Sequence, residues 1–404
     1  MTSFYEGAPS PRRANPTYPP TYPDERKLQA YSSLFTILHS SPRRIATLCT
    51  LVSLTELDTL LQTIMFTLYN NDTRNPIQAT TEDRLILSAF RFVLSAHFDE
   101  ANEFGSLLRA NTPVSRMLTS YTRRAPGQDY LRRLLASPLS RLLERSDLNL
   151  EINPVKVYGE MIDAMERNTG HPPVHLPLNV SAEEAQVNLD VEALITPRIV
   201  KLVEIADNLL SRIIDSVEVI PYGIRLICRQ IRALTKSKDH LASEDNICSL
   251  IGGFFFLRYV NPAIVSPEAH KILKQAPGKY PRRTLTLLAK MLQNLANRPS
   301  NSSEAYMTAL DPFIEKNKKR VTKFMEDICR VPPPQASSFP ASDVRVAIKV
   351  NDLYQTHLLI ARHAPDLSFP EERPLRGLLD ELGSVPDPVP SSANHVYELR
   401  LYGH

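Results

Sequence analysis

One arginine lies in the most apolar stretch of this 404-residue chain, within the run FFFLRYVNPAIV. At 100° per residue, Arg258 shares one narrow helical stripe with Ile247, Ile251 and Phe254. A guanidinium on an apolar face needs carbonyl or carboxylate partners, because an unpaired buried charge is very costly. Two interpretations stay open. Arg258 caps the last carbonyls of its own helix, which we expect Pro262 to end, or it braces a functional loop from elsewhere in the chain.

A second stretch, PRRTLTLLAKMLQNLAN, places its leucines on one helix face. Arg283, Lys290, Asn294 and Asn297 fall on the opposite face. Such a row is usual for a solvated surface, but lysine and amide side chains also suit a groove that binds a partner's backbone and carboxylates. Five basic residues and no acidic residue lie between Lys271 and Arg283, which favours an acidic partner.

Other kinds of chemistry have almost no support. The chain has only 12 glycines and contains no GxxxxGK[ST], GxGxxG, HExxH or GxSxG motif. His171 and His175 are separated by Pro-Pro-Val, and the two prolines prevent the helical turn that a shared metal would need. The formal charge of +3 argues against nucleic-acid binding. We therefore expect no metal site and no cofactor of the chain's own.

Helices must position these side chains, since the apolar pattern from Leu28 onward is helical almost without interruption. Strand-like alternation is confined to Val344–Val350, so the predicted fold class is all-α. Thr80 and Asp83 resemble a capping box that opens a helix over 82–97. Four prolines follow an N-cap residue and are expected at the first helical position: Ser41-Pro42, Thr112-Pro113, Asn153-Pro154 and Asp311-Pro312.

Composition divides the chain into three predicted parts. Residues 1–27 are rich in proline and tyrosine without a hydrophobic period, which predicts a disordered tail. The main helical domain covers 28–330, and a proline-rich linker opens a smaller C-terminal unit, 331–404. That unit is expected to contain helices at roughly 343–362 and 373–382.

Several features predict a cytoplasmic protein. The N-terminal residues lack the apolar stretch of a signal peptide. The longest mostly apolar run, Cys248–Leu257, is half of the ~20 residues that a transmembrane helix needs. The four cysteines are widely spaced without a CxxC pair, as is typical of reduced thiols.

The run FFFLRYVNPAIVSPEA resembles the Phe-Leu-Arg…Asn-Pro-Ala-Ile signature of Ras GTPase-activating (RasGAP) domains, and LLAKMLQNLAN resembles the second conserved helix of that family. LLDELGSVP is similar to the C-terminal extension of the IQGAP-type branch, so the resemblance covers about residues 28–390. It implies an elongated, all-helical GTPase-binding domain over 28–330, followed by the extension, 331–404.

The resemblance also implies a function. A RasGAP domain binds a GTP-loaded Ras-like small GTPase and supplies an arginine finger in trans, while the GTPase itself holds GTP and Mg²⁺. On this basis Arg258 stabilises the finger loop, and Leu257, Lys290, Asn294 and Asn297 line the GTPase-binding groove. The partner could recruit the protein to the plasma membrane or the cell cortex.

The sequence departs from the family pattern at the finger. Catalytic members carry the finger in a Leu-Phe-Arg sequence that ends an early helix, and here we align Leu68-Tyr69-Asn70 with it. Asn70 would therefore occupy the finger position and contact the GTPase. Arg74 follows in the polar run NNDTRNPIQATT, which predicts an extended, solvent-facing loop. Arg74 is a displaced finger, a rim contact or a plain surface arginine, and the resemblance favours the finger. Arg84 is a weaker substitute because a helix fixes its direction.

Three functions stay open. The first is a GTPase activator that uses Arg74. The second is an IQGAP-type scaffold that stabilises a GTP-bound Rho- or Ras-family protein without accelerating hydrolysis, and the third is an adaptor whose groove has decayed. The first 27 residues hold no calponin-homology domain or IQ repeat, which favours the activator, and the presence of Arg258, Lys290 and Asn297 speaks against decay.

A further basic stripe fits partner binding without identifying a partner. It consists of four cations at helical spacing: Arg225, Arg229, Arg232 and Lys236. We expect these residues to pair with acidic residues of 183–218 or with water, and a docking role is the less favoured interpretation.

Overall fold

The computed structural model describes residues 21–70, 76–100, 108–144, 148–297, 304–332, 344–370 and 373–402. They form sixteen α-helices and one two-stranded antiparallel sheet, which confirms the all-α fold class. The helices are α1 (Glu25–Ser40), α2 (Pro42–Leu51), α3 (Leu54–Thr63), α4 (Pro76–Glu100), α5 (Pro113–Thr122), α6 (Ala125–Leu143), α7 (Pro154–Thr169), α8 (Ala182–Gln186), α9 (Leu189–Asp215), α10 (Tyr222–Lys238), α11 (Glu244–Gly252), α12 (Asn261–Val265), α13 (Lys279–Asn297), α14 (Asp311–Ile328), α15 (Val350–Arg362) and α16 (Arg376–Leu382). The strands are β1 (Val344–Lys349) and β2 (Val396–Leu401), and π-helical segments cover Ile64–Leu68 and Gly253–Val260.

The chain divides into two compact units. The smaller unit contains the described residues up to Ile37 together with those from Val344 onward, and the larger unit contains the rest. Most of α1 thus belongs with the C-terminal residues, whereas we expected a boundary near residue 28. Within the smaller unit the Tyr31 hydroxyl lies 3.1 Å from Nδ1 of His357, a buried contact between α1 and α15.

The smaller unit also contains the sheet, which shortens a predicted helix. Residues 344–349 form β1, and the helix expected over 343–362 begins only at Val350. Val344, Val346 and Ile348 are buried while the residues between them are exposed, as the alternating sequence requires in a half-buried strand. The pairing strand β2 lies about fifty residues further along the chain. Local sequence patterns do not reveal a pairing over that distance.

Three of the four predicted proline helix starts are confirmed. α2, α5 and α7 begin at Pro42, Pro113 and Pro154, each with the preceding side chain capping the first turn. α14 instead begins at Asp311, so Asp311 is not its N-cap. α4 begins at Pro76, six residues before the predicted start, and much of the expected extended loop is therefore helical.

The core of the larger unit is built around one continuous helical segment, Glu244–Val265, formed by α11, the π-segment and α12. By length and composition this segment could span a membrane, but most of it is buried among the other helices, as in the core of a globular domain. Pro262 does not end the helix as expected. It lies in the first turn of α12, directly after the π-segment, where its missing N–H is tolerated.

Two adjacent glycines in this segment have opposite surroundings. A Cβ at Gly252 would lie 2.5 Å from the Cβ of Ala296 on α13, whereas a Cβ at Gly253 would meet, among the described residues, Leu108 alone, at 3.8 Å. Both have right-handed helical backbone angles, in which alanine is intrinsically the better residue. Gly252 is therefore required by the close approach of two helices.

We expect Gly252→Ala to lower the free energy of unfolding by about 1–3 kcal/mol, because overpacking forces the two helices apart. Gly253→Ala is the matched control and should leave stability unchanged or raise it by about 1 kcal/mol. Urea midpoints of the two variants measure this difference, and equal midpoints would contradict the assigned packing.

The basic stripe of α10 is mainly structural. Arg225, only 9% exposed, donates to the carbonyls of Asp327, Ile328 and Arg330 at the end of α14. Arg229 donates to the next carbonyl along, that of Val331, and Arg232 and Lys236 both pair with Glu244. Among the acidic partners that the described residues provide for these four cations, Glu218 is the one within the expected range, and it pairs with Arg225. The stripe thus satisfies the terminal carbonyls of a helix.

Candidate functional site

Arg258 lies in the π-segment and binds three consecutive backbone carbonyls. Its Nε donates to the carbonyl of Leu108 at 3.2 Å, and its Nη2 donates to those of Arg109 and, at 3.0 Å, Ala110. Partial burial, and then the nearby Arg116, lower the pKa of Arg258. Arg258 therefore braces a segment that lies about 150 residues away in sequence rather than the end of its own helix.

The rest of this segment is also held in place. Arg116 donates to Oδ1 of Asn111 at 2.7 Å and pairs with Asp58 at 2.5 Å. The backbone N–H of Thr112 donates to Oγ of Ser115 at 2.9 Å, in the capping box of α5. Residues 108–112, called the braced loop below, thus form a fixed support for the side chains they carry.

Arg109 is the cation that this loop exposes. Its side chain extends from the braced loop to α11, where Nη2 donates to Oγ of Ser249 at 2.8 Å. Within the part of the chain that the structure describes, this bond to a neutral hydroxyl occupies one of the five guanidinium donors, and the others can serve a ligand. Such an arrangement can deliver a positive charge and planar hydrogen-bond donors to phosphate or carboxylate oxygens.

The predicted groove residues lie on neighbouring helices. Leu257 is half-buried beside Arg258, and Lys290, Asn294 and Asn297 are half-buried on α13. The continuous helical segment Glu244–Val265, which carries Leu257 and Arg258, packs closely against α13. Asn261, in the α12 part of this segment, donates to the carbonyl of Ala289 on α13 at 3.1 Å. The helices therefore bring these five predicted residues to one region of the larger unit.

The polar face of α13 already has acidic partners. Lys290 lies 2.5 Å from Glu304, whose pKa is lowered first by that hydrogen bond and also by one from Tyr306. Arg283 binds Glu151 through two nitrogens, at 2.6 and 2.8 Å. A ligand carboxylate at Lys290 would thus compete with Glu304, whereas Arg283 serves the fold.

The pair of Glu151 and Arg283 should stabilise the protein strongly. Glu151 is 4% exposed, and although burial raises its pKa, bonds from Arg283 and the Asn153 N–H outweigh that effect and lower it overall. We expect Glu151→Gln to cost about 3 kcal/mol at pH 7, since it leaves a partly buried cation unpaired. Because the folded-state pKa is depressed, this stabilisation is present above the ordinary value of 4.5 and is lost as the pH falls through the folded-state value.

Denaturant unfolding of the wild type and Glu151→Gln at pH 7 and below pH 4 measures both effects. Asp129→Asn is the control, since Asp129 and Arg132 form an exposed pair that should contribute less than about 1 kcal/mol. A Glu151→Gln difference that persists unchanged in acid would contradict the assigned role of the carboxylate.

Asn70 lies at a different place from the braced loop. It is exposed and lines a cavity of about 380 Å³ together with Arg123, Arg132 and Lys271. The carbonyl of the preceding residue, Tyr69, accepts a bond from Arg124, just beyond the C-terminal end of α5. The braced loop precedes the N-terminal end of α5, and a ten-residue helix is about 15 Å long. Arg258 therefore braces a segment other than the expected loop at Asn70 and Arg74, and Arg74 itself lies outside the described residues.

Comparison with known proteins identifies the family. Residues 89–297, just over half of the chain, match the family model RasGAP, described as "GTPase-activator protein for Ras-like GTPase". The chain belongs to the RasGAP family.

Three relatives show how far the similarity extends along this chain. The chain is 31% identical over 374 residues to the Ras GTPase-activating-like protein gapA of Dictyostelium discoideum, covering 89% of this chain and 42% of the relative. It is 27% identical over 375 residues to the Ras GTPase-activating-like protein IQGAP2 of Mus musculus, covering 89% and 23%. It is also 27% identical over 270 residues to Ras GTPase-activating protein 1 of Rattus norvegicus, covering 66% and 22%. The chain spans less than half the length of each of these relatives.

The extent of the RasGAP match bears on the position of the finger. It contains Arg109, Arg258 and all of α13, whereas Asn70 and Arg74 precede it. Sequence reasoning did not select Arg109 as a candidate, although Leu107-Leu108-Arg109 is closer to Leu-Phe-Arg than Leu68-Tyr69-Asn70 is. A second signal was available, since Thr112-Pro113 marks a helix start directly after it.

Proposed function

We propose that this chain binds a Ras-like small GTPase in its GTP form and accelerates GTP hydrolysis by supplying Arg109 in trans. The observation that carries this proposal is the bonding of Arg258 to the carbonyls of 108–110, which presents the Arg109 side chain from a fixed backbone. Arg258 then acts as the stabiliser of the finger loop. The partner GTPase holds the nucleotide and Mg²⁺.

The chemistry requires little more than a well-placed charge. During phosphoryl transfer, negative charge spreads over the oxygens of the transferring group, and an arginine finger that stabilises it is worth roughly 10³–10⁵ in rate. A loop that is already ordered loses less conformational entropy when the partner docks. The braced loop thus lowers the cost of placing the guanidinium.

The groove beside this loop supplies the binding contacts. Leu257 offers an apolar contact, and Lys290, Asn294 and Asn297 offer hydrogen bonds to backbone and carboxylate groups of the GTPase. A GTPase carboxylate that binds Lys290 must displace Glu304 from it. Binding should therefore weaken as ionic strength rises.

Single-turnover GTP hydrolysis by a panel of Ras- and Rho-type GTPases tests the proposal. With saturating protein, at least one GTPase should hydrolyse GTP at least about a thousandfold faster than alone. Binding of the GTP-loaded form without acceleration, or with slower intrinsic hydrolysis, would refute the activator function.

That second outcome would support an IQGAP-like effector that stabilises a GTP-bound Rho- or Ras-family protein. The observation in its favour is the similarity to IQGAP2, which extends over 89% of this chain and therefore beyond the larger unit into part of the smaller one. The exposed Arg109 on the braced loop favours the activator instead.

We further propose that the protein acts in the cytoplasm and reaches the plasma membrane or cell cortex through its GTPase. A fluorescently tagged chain should lose its membrane-associated fraction when the partner GTPase is depleted. A membrane fraction that persists without the GTPase would point to another anchor.

A further inference from the structure

We infer that Ser249 is a positioning residue that orients the Arg109 guanidinium towards the end of the groove that carries Asn297. This inference rests on the proposed function and adds a residue to its machinery. It starts from one contact, the 2.8 Å bond from Nη2 of Arg109 to Oγ of Ser249, which joins positions 140 residues apart in sequence.

The backbone bonds fix the main chain of the braced loop but do not set the direction of the Arg109 side chain. Arg258 holds the carbonyl of Arg109, but an exposed arginine side chain still has several rotatable bonds and many accessible directions. A partner that needs one of these directions must select it from all the others. The bond to Ser249 reduces the number of directions that the Arg109 side chain can take before the GTPase binds.

Ser249 is well placed for this task. It lies on the same continuous helical segment as Arg258, and Gly253, one turn further along, faces Leu108 of the braced loop. Gly252 packs against Ala296, next to Asn297 on α13. The hydroxyl of Ser249 thus stands where the braced loop, α11 and the Asn297 end of α13 meet.

A hydroxyl is also chemically suited to a hydrogen bond with Arg109 that can be exchanged when the partner binds. Oγ is neutral, so it directs the guanidinium without cancelling its charge, and the bond can be exchanged for one to an incoming oxygen. A carboxylate at the same position would form a stronger, charge-assisted bond and compete with the phosphate. Substitutions at position 249 therefore distinguish a hydroxyl that orients the Arg109 guanidinium from a carboxylate that holds it away from the phosphate.

Single-turnover hydrolysis by the responsive Ras-like GTPase, titrated with the full chain, tests the inference. Ser249→Ala should lower the maximal rate roughly threefold to tenfold, the equivalent of one net hydrogen bond, with an unchanged half-saturating concentration. Ser249→Thr keeps the hydroxyl and should retain most of the rate. Ser249→Asp should lower the rate more than Ser249→Ala does.

The contrast between Ser249→Ala and Ser249→Thr gives the decisive readout, because the threonine restores the hydroxyl that accepts from Arg109. Ser237→Ala is the control, since it removes an exposed hydroxyl of α10 that bonds only locally to the carbonyl of Leu234. A Ser249→Ala rate equal to or above that of the wild type, or an equal loss in Ser249→Thr, would overturn the inference.

The two proposals fail in different ways. If the wild type accelerates no GTPase, the activator function fails and the inference about Ser249 fails with it. If the wild type accelerates hydrolysis and Arg109→Ala does not, the function stands, and the Ser249 variants alone decide the inference.

Discussion

Arg109→Ala should abolish the acceleration of GTP hydrolysis, lowering the single-turnover rate at saturating protein by about 10³-fold or more while the GTPase still binds. The braced loop keeps its backbone bonds to Arg258 in this variant, because those bonds involve carbonyls and not the Arg109 side chain. The expected loss is therefore one of catalysis. Rapid-quench measurement of GTP hydrolysis, with affinity determined separately on GTP-loaded protein, checks both parts.

Two other arginines serve as controls. Arg74→Ala and Arg84→Ala should each stay within about threefold of the wild type, since the braced region lies at the other end of α5 from Tyr69 and Asn70. Arg109→Lys keeps the charge but loses the planar fork, so it should recover little of the rate. Full activity of Arg109→Ala together with a loss of activity in Arg74→Ala would show that Arg74, and not Arg109, is the finger.

Arg258→Ala should lower the maximal rate by about 10²-fold even though Arg109 remains, because a displacement of about 1 Å can cost this much. Without the guanidinium, three carbonyls lose their donor and residues 108–110 gain freedom. Hydrogen exchange should therefore rise in the braced loop. Arg258→Lys should recover little, because an ammonium lacks the fork that reaches three carbonyls.

Arg225→Ala is a matched control for this variant. Arg225 also binds three carbonyls, but at the end of α14 and away from the braced loop. Its loss should reduce stability and leave the maximal rate of the folded protein unchanged. Similar rates for Arg258→Ala and Arg225→Ala, with no change in hydrogen exchange at 108–112, would show that Arg258 is only structural.

Local sequence rules predicted much of this fold. The helix starts at Pro42, Pro113 and Pro154 follow from a cap and a fixed φ angle, which involve only neighbouring residues. The same rules failed at Pro262, because a π-segment changes the hydrogen-bond spacing before it. They also missed β2, whose pairing with β1 joins distant parts of the chain.

The site was predictable in part for the same reason. A guanidinium on an apolar face indicated that Arg258 needs carbonyl partners, and the resemblance supplied the idea of a braced loop. Which carbonyls it binds depends on how α5 and the π-segment pack, a tertiary contact across about 150 residues. We therefore propose the finger at Arg109 instead of the helix-end sequence first considered, and the contact between Arg109 and Ser249 had no local signal in the sequence.

The division of the chain has a consequence for how it folds. The smaller unit joins α1 near one end of the sequence to β1, α15 and β2 near the other, with the whole larger unit between them. A ribosome must therefore synthesise some 300 residues before α1 can meet its partners, and long-range contacts of this kind form slowly. The larger unit can fold as it is synthesised, while the apolar face of α1 still lacks the residues against which it packs. Refolding should accordingly show a late phase reported by Tyr31 and His357, after the helices around Phe254 have assembled.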